Sequence, residues 1–460
     1  MKVMVFGAGY VGLVQAAGLS SSGNKVSLID ISKERIEALK MGHCPIHEPQ
    51  LPELLDEGRE KKTIEFALVG SAEYQRALKE AEVFFIAVQT PGGEDGYPDL
   101  SAFRSVVESI SALEGDLSDR IVVNKSTVPV GTGDEVEKMF KSFGKAPVVV
   151  SVPEFLKQGS AVVDFLKPER VVIGTDNQMA REKLESLYSP FMRKRDRIIF
   201  MSRRSAELVK YACNAFLAVK ISFINEVANL SDAVGADVQE VREGMISDSR
   251  IGDQFLYPGV GYGGSCFPKD TIGLVTQANR YETPMRITQA AIETNQEQKH
   301  WAYRRLIDEL DDLKGKSIAL WGLSFKPNTD DLREAPSLYF IEDVIKAGGR
   351  VRAYDPVAME NSKHWLQRYL DRGNLELVND PYEVINSCEA LVVLTEWIDF
   401  RSPDFDLISK KLHQKLIIDG RNLYDSKELK RHQLRHVGVG RKVHSSAQNK
   451  ILTNLKIVEV

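Results

Sequence analysis

Two α/β domains, each on a mainly parallel sheet and joined by a long central helix, are the fold class predicted by three observations in this sequence of 460 residues. Short apolar runs alternate with amphipathic segments through the first third, and the runs are continuously apolar, as strands covered on both faces must be. The same alternation restarts after Gly315. Between the two lies a stretch after Arg203 whose apolar residues recur at helical spacing with little interruption. The chain is also too long for one ordinary core.

The first domain is expected over residues 1–202. The run 3–6 ends at Gly7, residues 13–19 read as helix and 26–30 as the next strand, a βαβ start. Runs 83–88, 121–124 and 148–150 supply further strands. Gly7, Gly9 and Gly12 form G-x-G-x-x-G at the turn from strand to helix, with Tyr10 and Val11 inside it as further cofactor-binding candidates. The first glycine permits the tight turn, the second lets backbone amides approach a pyrophosphate, and the third lets helix and strand pack closely. Asp30 closes the second strand where a carboxylate accepts hydrogen bonds from ribose hydroxyls, so the domain is Rossmann-like and its cofactor is NAD. Arg35 is a solvated helix residue or a ligand for the extra phosphate of NADP, but Asp30 would repel that phosphate. Thr90 and Thr127 lie in loops after the third and fourth strands, where ligands bind in open sheets, although either would also serve to cap or turn the chain.

A central segment, residues 203–300, begins with one apolar stripe: Leu208, Tyr211, Ala212, Ala215, Val219, Phe223, Val227 and Leu230. The stripe suits a domain connector and a subunit interface, and equally an internal core helix. In residues 301–460 a strand over 317–321 turns at Gly322, a helix follows near 337–346, and strands are expected over 351–355, 391–394 and 416–419. This echoes the first domain without its full glycine fingerprint and predicts the second of two Rossmann-like parallel-sheet domains joined by a long central helix. The stretch after Lys442 reads as loosely ordered.

Composition narrows the function classes. A net charge of −5 and a pI near 6.0 give no reason to expect nucleic acid or an anionic membrane as partner, and the basic run Arg193, Lys194, Arg195 reads as a solvated face. The start carries no secretion-signal pattern and no apolar run approaches membrane-spanning length, so the cytoplasm is the expected compartment. Cys44, Cys213, Cys266 and Cys388 form no CxxC pair, and the histidines show no metal-ligand spacing; His43 and His47 have Pro45 between them. No metal is expected.

Cys266 follows Gly263, Gly264 and Ser265 and precedes Phe267, Pro268, Lys269 and Asp270. A thiol in the same chain as a dinucleotide fingerprint suggests covalent catalysis coupled to hydride transfer: sulfur adds to an aldehyde, and the adduct gives up a second hydride to become a thioester. The plain alternative is a small buried apolar side chain. Lys210 and Asn214, four apart, project from one face of the central helix, a spacing that surface pairs also show.

These segments together resemble the UDP-glucose/GDP-mannose dehydrogenase family, and the resemblance covers nearly the whole chain. It is carried by Phe255, Leu256, Tyr257, Pro258 and Gly259 through Gly263 to Asp270, by residues 206–216, by Pro153, Glu154, Phe155, Leu156, Lys157, Gln158 and Gly159, by the turn 325–333, and by Asp419, Gly420, Arg421 and Asn422. Tyr262 and Phe267 look more like the UDP-glucose members. The resemblance implies NAD and UDP-glucose as ligands, a four-electron oxidation to UDP-glucuronate, and a homodimer or higher homo-oligomer. It implies that Cys266 is the nucleophile, that Lys210 and Asn214 serve the oxygen being oxidised, that Asp270 organises water for thioester hydrolysis, and that Glu154 and Thr127 lie at the reaction centre. Thr90, Thr127, Gln158, Lys269, Arg333 and Arg35 would line the cofactor, Arg35 along the adenosine ribose. Residues 154–158 would close over the sugar, joined in substrate binding by Lys210, Asn214, residues 255–259 and Gly263. Phe325, Lys326 and Arg421 would reach the nucleotide sugar, Arg421 at its diphosphate, and Arg250 would act across a dimer. The family's asparagine before proline is Val152 here and its second glutamate is Gln158, which leaves the acid and base assignment open.

GDP-mannose and UDP-N-acetylhexosamine are the alternative substrates for the same chemistry. A two-electron β-hydroxyacid dehydrogenase would leave Cys266 and the second domain unexplained. A nonenzymatic nucleotide-sugar sensor would leave Cys266, Lys210, Asn214 and Asp270 together without a purpose.

Overall fold

The structure is a computed structural model and describes residues 1–192 and 197–441. The basic run 193–195 and the stretch after Lys442 lie outside the described residues. The described residues form two compact units: those within 1–216, 265–289 and 328–330, and those within 217–264, 290–327 and 331–441. Among the described residues, no helix is long and apolar enough to cross a membrane.

In the first unit β1 (Lys2–Phe6), β2 (Lys25–Asp30), β3 (Ile64–Leu68), β4 (Val83–Ile86), β5 (Ile121–Asn124), β6 (Val148–Ser151), β7 (Val171–Gly174) and β8 (Ile198–Met201) form one sheet in the order β3-β2-β1-β4-β5-β6-β7-β8. The first six strands pair in parallel. Among the described residues the β6–β7 junction, Ser151 opposite Gly174, is the antiparallel pairing of this sheet. The reason the strand sequences are continuously apolar is visible in β1 and β4. Val3, Val5, Val83 and Phe85 enter the core on one face, while Met4, Phe6, Phe84 and Ile86 enter a second core on the other. Successive side chains point to opposite faces, and helices cover both.

The second unit repeats the plan. Its β9 (Ser317–Trp321), β10 (Arg350–Tyr354), β11 (Leu375–Leu377), β12 (Ala390–Val393), β13 (Leu416–Asp419) and β14 (Arg435–Gly438) form an all-parallel sheet, β11-β10-β9-β12-β13-β14. Ile318 and Leu320 face one core, Ala319 and Trp321 the other. Both sheets share the dinucleotide-fold order with its reversal between the first and fourth strands, where ligands bind at the carboxyl ends. The echo extends to chemistry at the first turn. Gly7 and Gly322 both take positive φ, at 103° and 94°, and the aspartate ending the neighbouring strand region accepts turn amides in each unit. Asp30 accepts the Ala8 N–H, and Asp355 accepts those of Leu323 and Ser324.

The long central helix is Arg203–Val234. Its predicted apolar stripe is present, but only part of it is buried. Tyr211 and Ala215 are in a core, whereas Leu208, Phe223 and Leu230 are exposed, as are Phe216 and Val234 on the same face. The face that the protein covers carries Glu207, Lys210, Asn214, Ser222 and Asn225. Helical periodicity locates a stripe but not the surface that covers it, and here the buried side mixes those polar residues with Ala218, Ile224 and Ala228.

Candidate active site

The first turn of the first unit has the stereochemistry of a phosphate cradle. A Cβ on Gly12 would overlap the Gly7 carbonyl oxygen, so only glycine lets the helix Tyr10–Ser21 approach β1 this closely. A Cβ on Gly9 would meet no atom within 4 Å, so the backbone there is open to close approach. No side chain caps this helix, and its first-turn N–H groups are left for an anion. Asp30 Oδ2 accepts the Ala8 N–H at 2.6 Å and Oδ1 the Ser32 N–H at 2.8 Å, which fixes the carboxylate at the end of β2. Arg35 is exposed in the first turn of the following helix, where its N–H donates to Ser32 Oγ. Beside it Ile31 is 83% exposed, an apolar platform at the strand end that the sequence reading passed over. Val11 and Tyr10 are half-buried, and the Tyr10 hydroxyl accepts the Gly159 N–H at 2.8 Å. The fingerprint is thereby tied to the loop after β6. Glu48, also missed from sequence, grips the same loop through the N–H groups of Gly159 and Ala161.

The loops after β4, β5 and β6 and two helices, Arg203–Val234 and Phe267–Arg280, bring the chemistry-bearing residues together. Thr90, after β4, donates to the Thr127 carbonyl at 2.9 Å, locking its loop to the one after β5. That second loop is held from the other side by Glu207. Its carboxylate accepts the N–H groups of Gly131 and Gly133 and the Ser151 hydroxyl, at 2.7, 2.9 and 2.9 Å. Helix Thr132–Ser142 has no cap of its own, so a carboxylate from another helix satisfies its first donors. Glu207, Lys210 and Asn214 lie on one helical face, a spacing that was legible around the two residues singled out. Lys210 Nζ meets Glu154 Oε1 at 3.0 Å, and both side chains are about 5% exposed, at 5% and 6%. Asn214 Nδ2 donates to Asp270 Oδ2 at 2.6 Å, and Lys269 Nζ meets the other Asp270 oxygen at 2.6 Å. Lys269 is thus turned onto Asp270.

Cys266 immediately precedes the helix Phe267–Arg280, with Ser265 Oγ 3.6 Å from its sulfur. Burial pushes its thiol up, the Lys210 ammonium pulls it down, and Glu154 and Asp270 push it up again, for a net rise. Burial alone would lower the Lys210 ammonium, but Glu154, Cys266 and Asp270 outweigh it and hold the lysine charged. The remaining residues of the 153–159 segment are less enclosed. Phe155 carries the Arg170 guanidinium 4.1 Å and Lys210 Nζ 5.4 Å from its ring centre. The Leu156 N–H donates to Glu154 Oε2, Lys157 is exposed and paired with Asp164, and Gln158 is half-buried. Val152 is fully buried in the hydrophobic core, where an amide would require partners.

In the second unit the candidates form another set. The 255–264 stretch is stitched to helices: Asn225 accepts the Gly259 N–H at 2.8 Å, Gln298 donates to the Gly259 carbonyl at 2.7 Å, and Asn295 accepts the Tyr262 N–H at 2.8 Å. Phe255 takes positive φ at 63°, Leu256 is buried, its carbonyl accepts from Arg242, and the same guanidinium lies 4.2 Å from the Tyr257 ring. Pro258 and Gly263 are buried, and a Cβ on Gly263 would strike the Glu334 carbonyl. Lys326 Nζ lies 5.5 Å from the Phe325 ring centre. Arg421 is held by the Leu394 and Phe325 carbonyls and pairs with Glu396 at 3.1 Å. Arg333 pairs with Asp331, and Arg250, 88% exposed, with Asp248.

A dinucleotide cradle at the switch point of one Rossmann-like sheet, with a second such sheet in the same chain, defines an NAD-dependent dehydrogenase. Family models agree along the chain: the UDP-glucose/GDP-mannose dehydrogenase NAD binding domain matches residues 1–192, the central domain 204–297 and the UDP binding domain 319–426. A UDP-glucose 6-dehydrogenase of Pseudomonas aeruginosa is 44% identical over 450 residues, 96% of this chain and 98% of the relative. One of Rhizobium meliloti is 42% identical, over 96% of this chain and all of the relative, 100%. The solved UDP-glucose dehydrogenase of Pyrobaculum islandicum superposes with a TM-score of 0.85 at 34% identity, covering 95% of this chain and 97% of its own. The chain belongs to the UDP-glucose/GDP-mannose dehydrogenase family.

Proposed function

We propose that the protein oxidises UDP-glucose to UDP-glucuronate through a covalent adduct on Cys266. The observation that carries this reading is the cluster around the thiol: a charged, buried Lys210 paired with Glu154, and Asn214 paired with Asp270. NAD, when bound, supplies the hydride acceptor for each oxidation. In the first, the substrate's C6 hydroxyl proton passes to the Glu154 and Thr127 relay as the C–H bond gives up hydride. The Cys266 sulfur then bonds to the aldehyde carbon and its proton moves to the carbonyl oxygen. Because burial holds the thiol protonated, this coupled transfer is the natural route. Lys210 and Asn214 stabilise negative charge developing on that oxygen. Loss of a second hydride and the hydroxyl proton gives the thioester. Water oriented by Asp270 adds to its carbon, and the C–S bond breaks to return the thiol and release the acid.

Residues 1–202 are assigned to NAD, 203–300 to the catalytic cysteine and to dimerisation, and 301–460 to the nucleotide sugar. Residues 255–259, Gly263, Phe325, Lys326 and Arg421 are assigned to UDP-glucose and Arg333 to the cofactor. Val152, packed in the core, supports no proton-transfer role, and Gln158 keeps an orienting one. Two NADH per UDP-glucuronate are expected, measured by absorbance and product mass. One NADH per released aldehyde sinks the covalent reading, and no reaction with UDP-glucose sinks the substrate.

The exposed face of helix Arg203–Val234 supports a homodimer or higher homo-oligomer, since Leu208, Phe216, Phe223 and Leu230 leave a continuous apolar strip. Sedimentation as at least a dimer is expected. A monomer at micromolar concentration would remove both that assembly and the assignment of Arg250 to a neighbouring subunit's site.

A further inference from the structure

Arg421 sits in a turn whose flanking side chains are both anchored to β14, the last strand of the second sheet, or to the residue that follows it. On one side Asn422 takes positive φ at 52°, and its amide exchanges two hydrogen bonds with the Val439 backbone, at 2.9 and 2.8 Å. On the other, Asp419 ends β13 with a fully buried carboxylate. Its Oδ1 accepts the Arg421 N–H at 3.1 Å and its Oδ2 the Tyr424 N–H at 3.0 Å. A third donor comes from β14. His436, whose side chain is 3% exposed, lies opposite Ile417 in the ladder and places Nε2 3.3 Å from Asp419 Oδ2. The hydroxyl of Ser426, the first residue of helix Ser426–Arg431, is 2.7 Å from His436 Nδ1.

We propose that His436 is a positioning residue for the nucleotide sugar, acting through Asp419 on the backbone of Arg421. This rests on the assignment of Arg421 to UDP-glucose made above. The direction of the hydrogen-bond chain follows from its chemistry. Both Asp419 oxygens accept backbone N–H groups, so the proton between carboxylate and ring belongs to Nε2. A neutral ring then has Nδ1 as its acceptor, and the Ser426 hydroxyl is the donor. Ser426 selects the tautomer, and His436 donates to the carboxylate that shapes the turn. The Arg421 guanidinium spans to the Leu394, Phe325 and Gly261 carbonyls, at 2.8, 3.3 and 3.5 Å, and to Glu396, so its place depends on where its backbone starts. A guanidinium meets a diphosphate through a planar fork of N–H groups, a geometry that a small displacement spoils. Without the Nε2 donor, Asp419 is released from β14 and the turn is held at its Asn422 side. The chain acts on Arg421 and on no residue assigned to hydride transfer, so the loss falls on UDP-glucose affinity.

Two amide substitutions separate positioning from packing. His436→Gln carries its amide nitrogen to about where Nε2 lies and keeps the bond to Asp419, whereas His436→Asn ends near Nδ1 and gives that bond up. Binding of UDP, measured by calorimetry, should weaken about tenfold in His436→Asn and stay within about twofold of native in His436→Gln. The KM for UDP-glucose should follow the same order, with kcat and the KM for NAD within about twofold of native in both. Melting temperatures should fall in both, because each variant gives up one buried hydrogen bond, so a role in stability alone would weaken UDP equally in the two. Equal weakening, or none in His436→Asn, overturns the inference. A second measurement needs no ligand. In NMR of the native protein with isotope-labelled histidine, the His436 ring, assigned by its loss in His436→Gln, should carry its proton on Nε2 at neutral pH, and a proton on Nδ1 overturns the inference. If the native protein does not bind UDP, the nucleotide-sugar reading fails and the inference with it; native binding with equal loss in the two variants overturns the inference alone.

Discussion

Cys266→Ser is expected to lose steady turnover by at least about a thousandfold, with NAD binding retained. A serine hydroxyl has nearly the size of the thiol and keeps the start of helix Phe267–Arg280 intact, but it adds to a carbonyl poorly without a strong base. Around Cys266, Lys210 is held charged beside Glu154, Asp270 is bonded to Asn214 and Lys269, and Glu154 is committed to the substrate's hydroxyl proton, so none of the three is left to activate a serine. Only a group as nucleophilic and polarisable as sulfur reacts there. Turnover and NAD affinity measured on one preparation separate the two effects, and near-native turnover in Cys266→Ser would return Cys266 to the status of a small, half-buried side chain.

Gly12→Ala should cost at least about 3 kcal/mol of stability and abolish measurable NAD binding, because the new methyl overlaps a backbone oxygen and no rotamer relieves it. The Gly7 carbonyl cannot yield freely, since Gly7 holds φ near 103° and its N–H is bonded to the Ile29 carbonyl at 2.7 Å. Relief requires helix Tyr10–Ser21 to move off β1, which withdraws its first-turn amides from the pyrophosphate. Gly9→Ala is the control in thermal denaturation. Its methyl meets no protein atom, so stability should stay near native while NAD binding weakens. Equal melting temperatures for Gly12→Ala and the native protein would refute the packing argument.

Much of the fold was legible because its strands are buried on both faces. The run 121–124 coincides with β5 and 416–419 with β13, and the expected strand over 83–88 ends early, at Ile86, where the chain turns into the ligand-binding loop. Strands at the sheet margins were not found. Ile64–Leu68, Ile198–Met201, Leu375–Leu377 and Arg435–Gly438 carry charge or partial exposure, and inside the sheet Val171–Gly174, as short and as buried as β5, was missed as well. The pairing that makes them strands comes from neighbours distant in sequence, to which local periodicity is blind.

The site divides along the same line. The sequence by itself determined the backbone chemistry: glycines where a side chain would overlap a carbonyl, an aspartate at a strand end, and a cysteine beside a lysine and aspartate in a glycine-rich turn. Each is a local steric or chemical requirement written within a few residues. Tertiary structure alone decided which charges meet. Lys210 found Glu154 and Asn214 found Asp270, and Glu207 reached across to cap helix Thr132–Ser142. It also decided that the central helix buries Glu207, Lys210 and Asn214 along with Tyr211 and Ala215, and leaves Leu208, Phe223 and Leu230 of its apolar stripe exposed. The physical reason is that burial and Coulomb energy depend on distances between segments that the folded sheets set and the linear order does not.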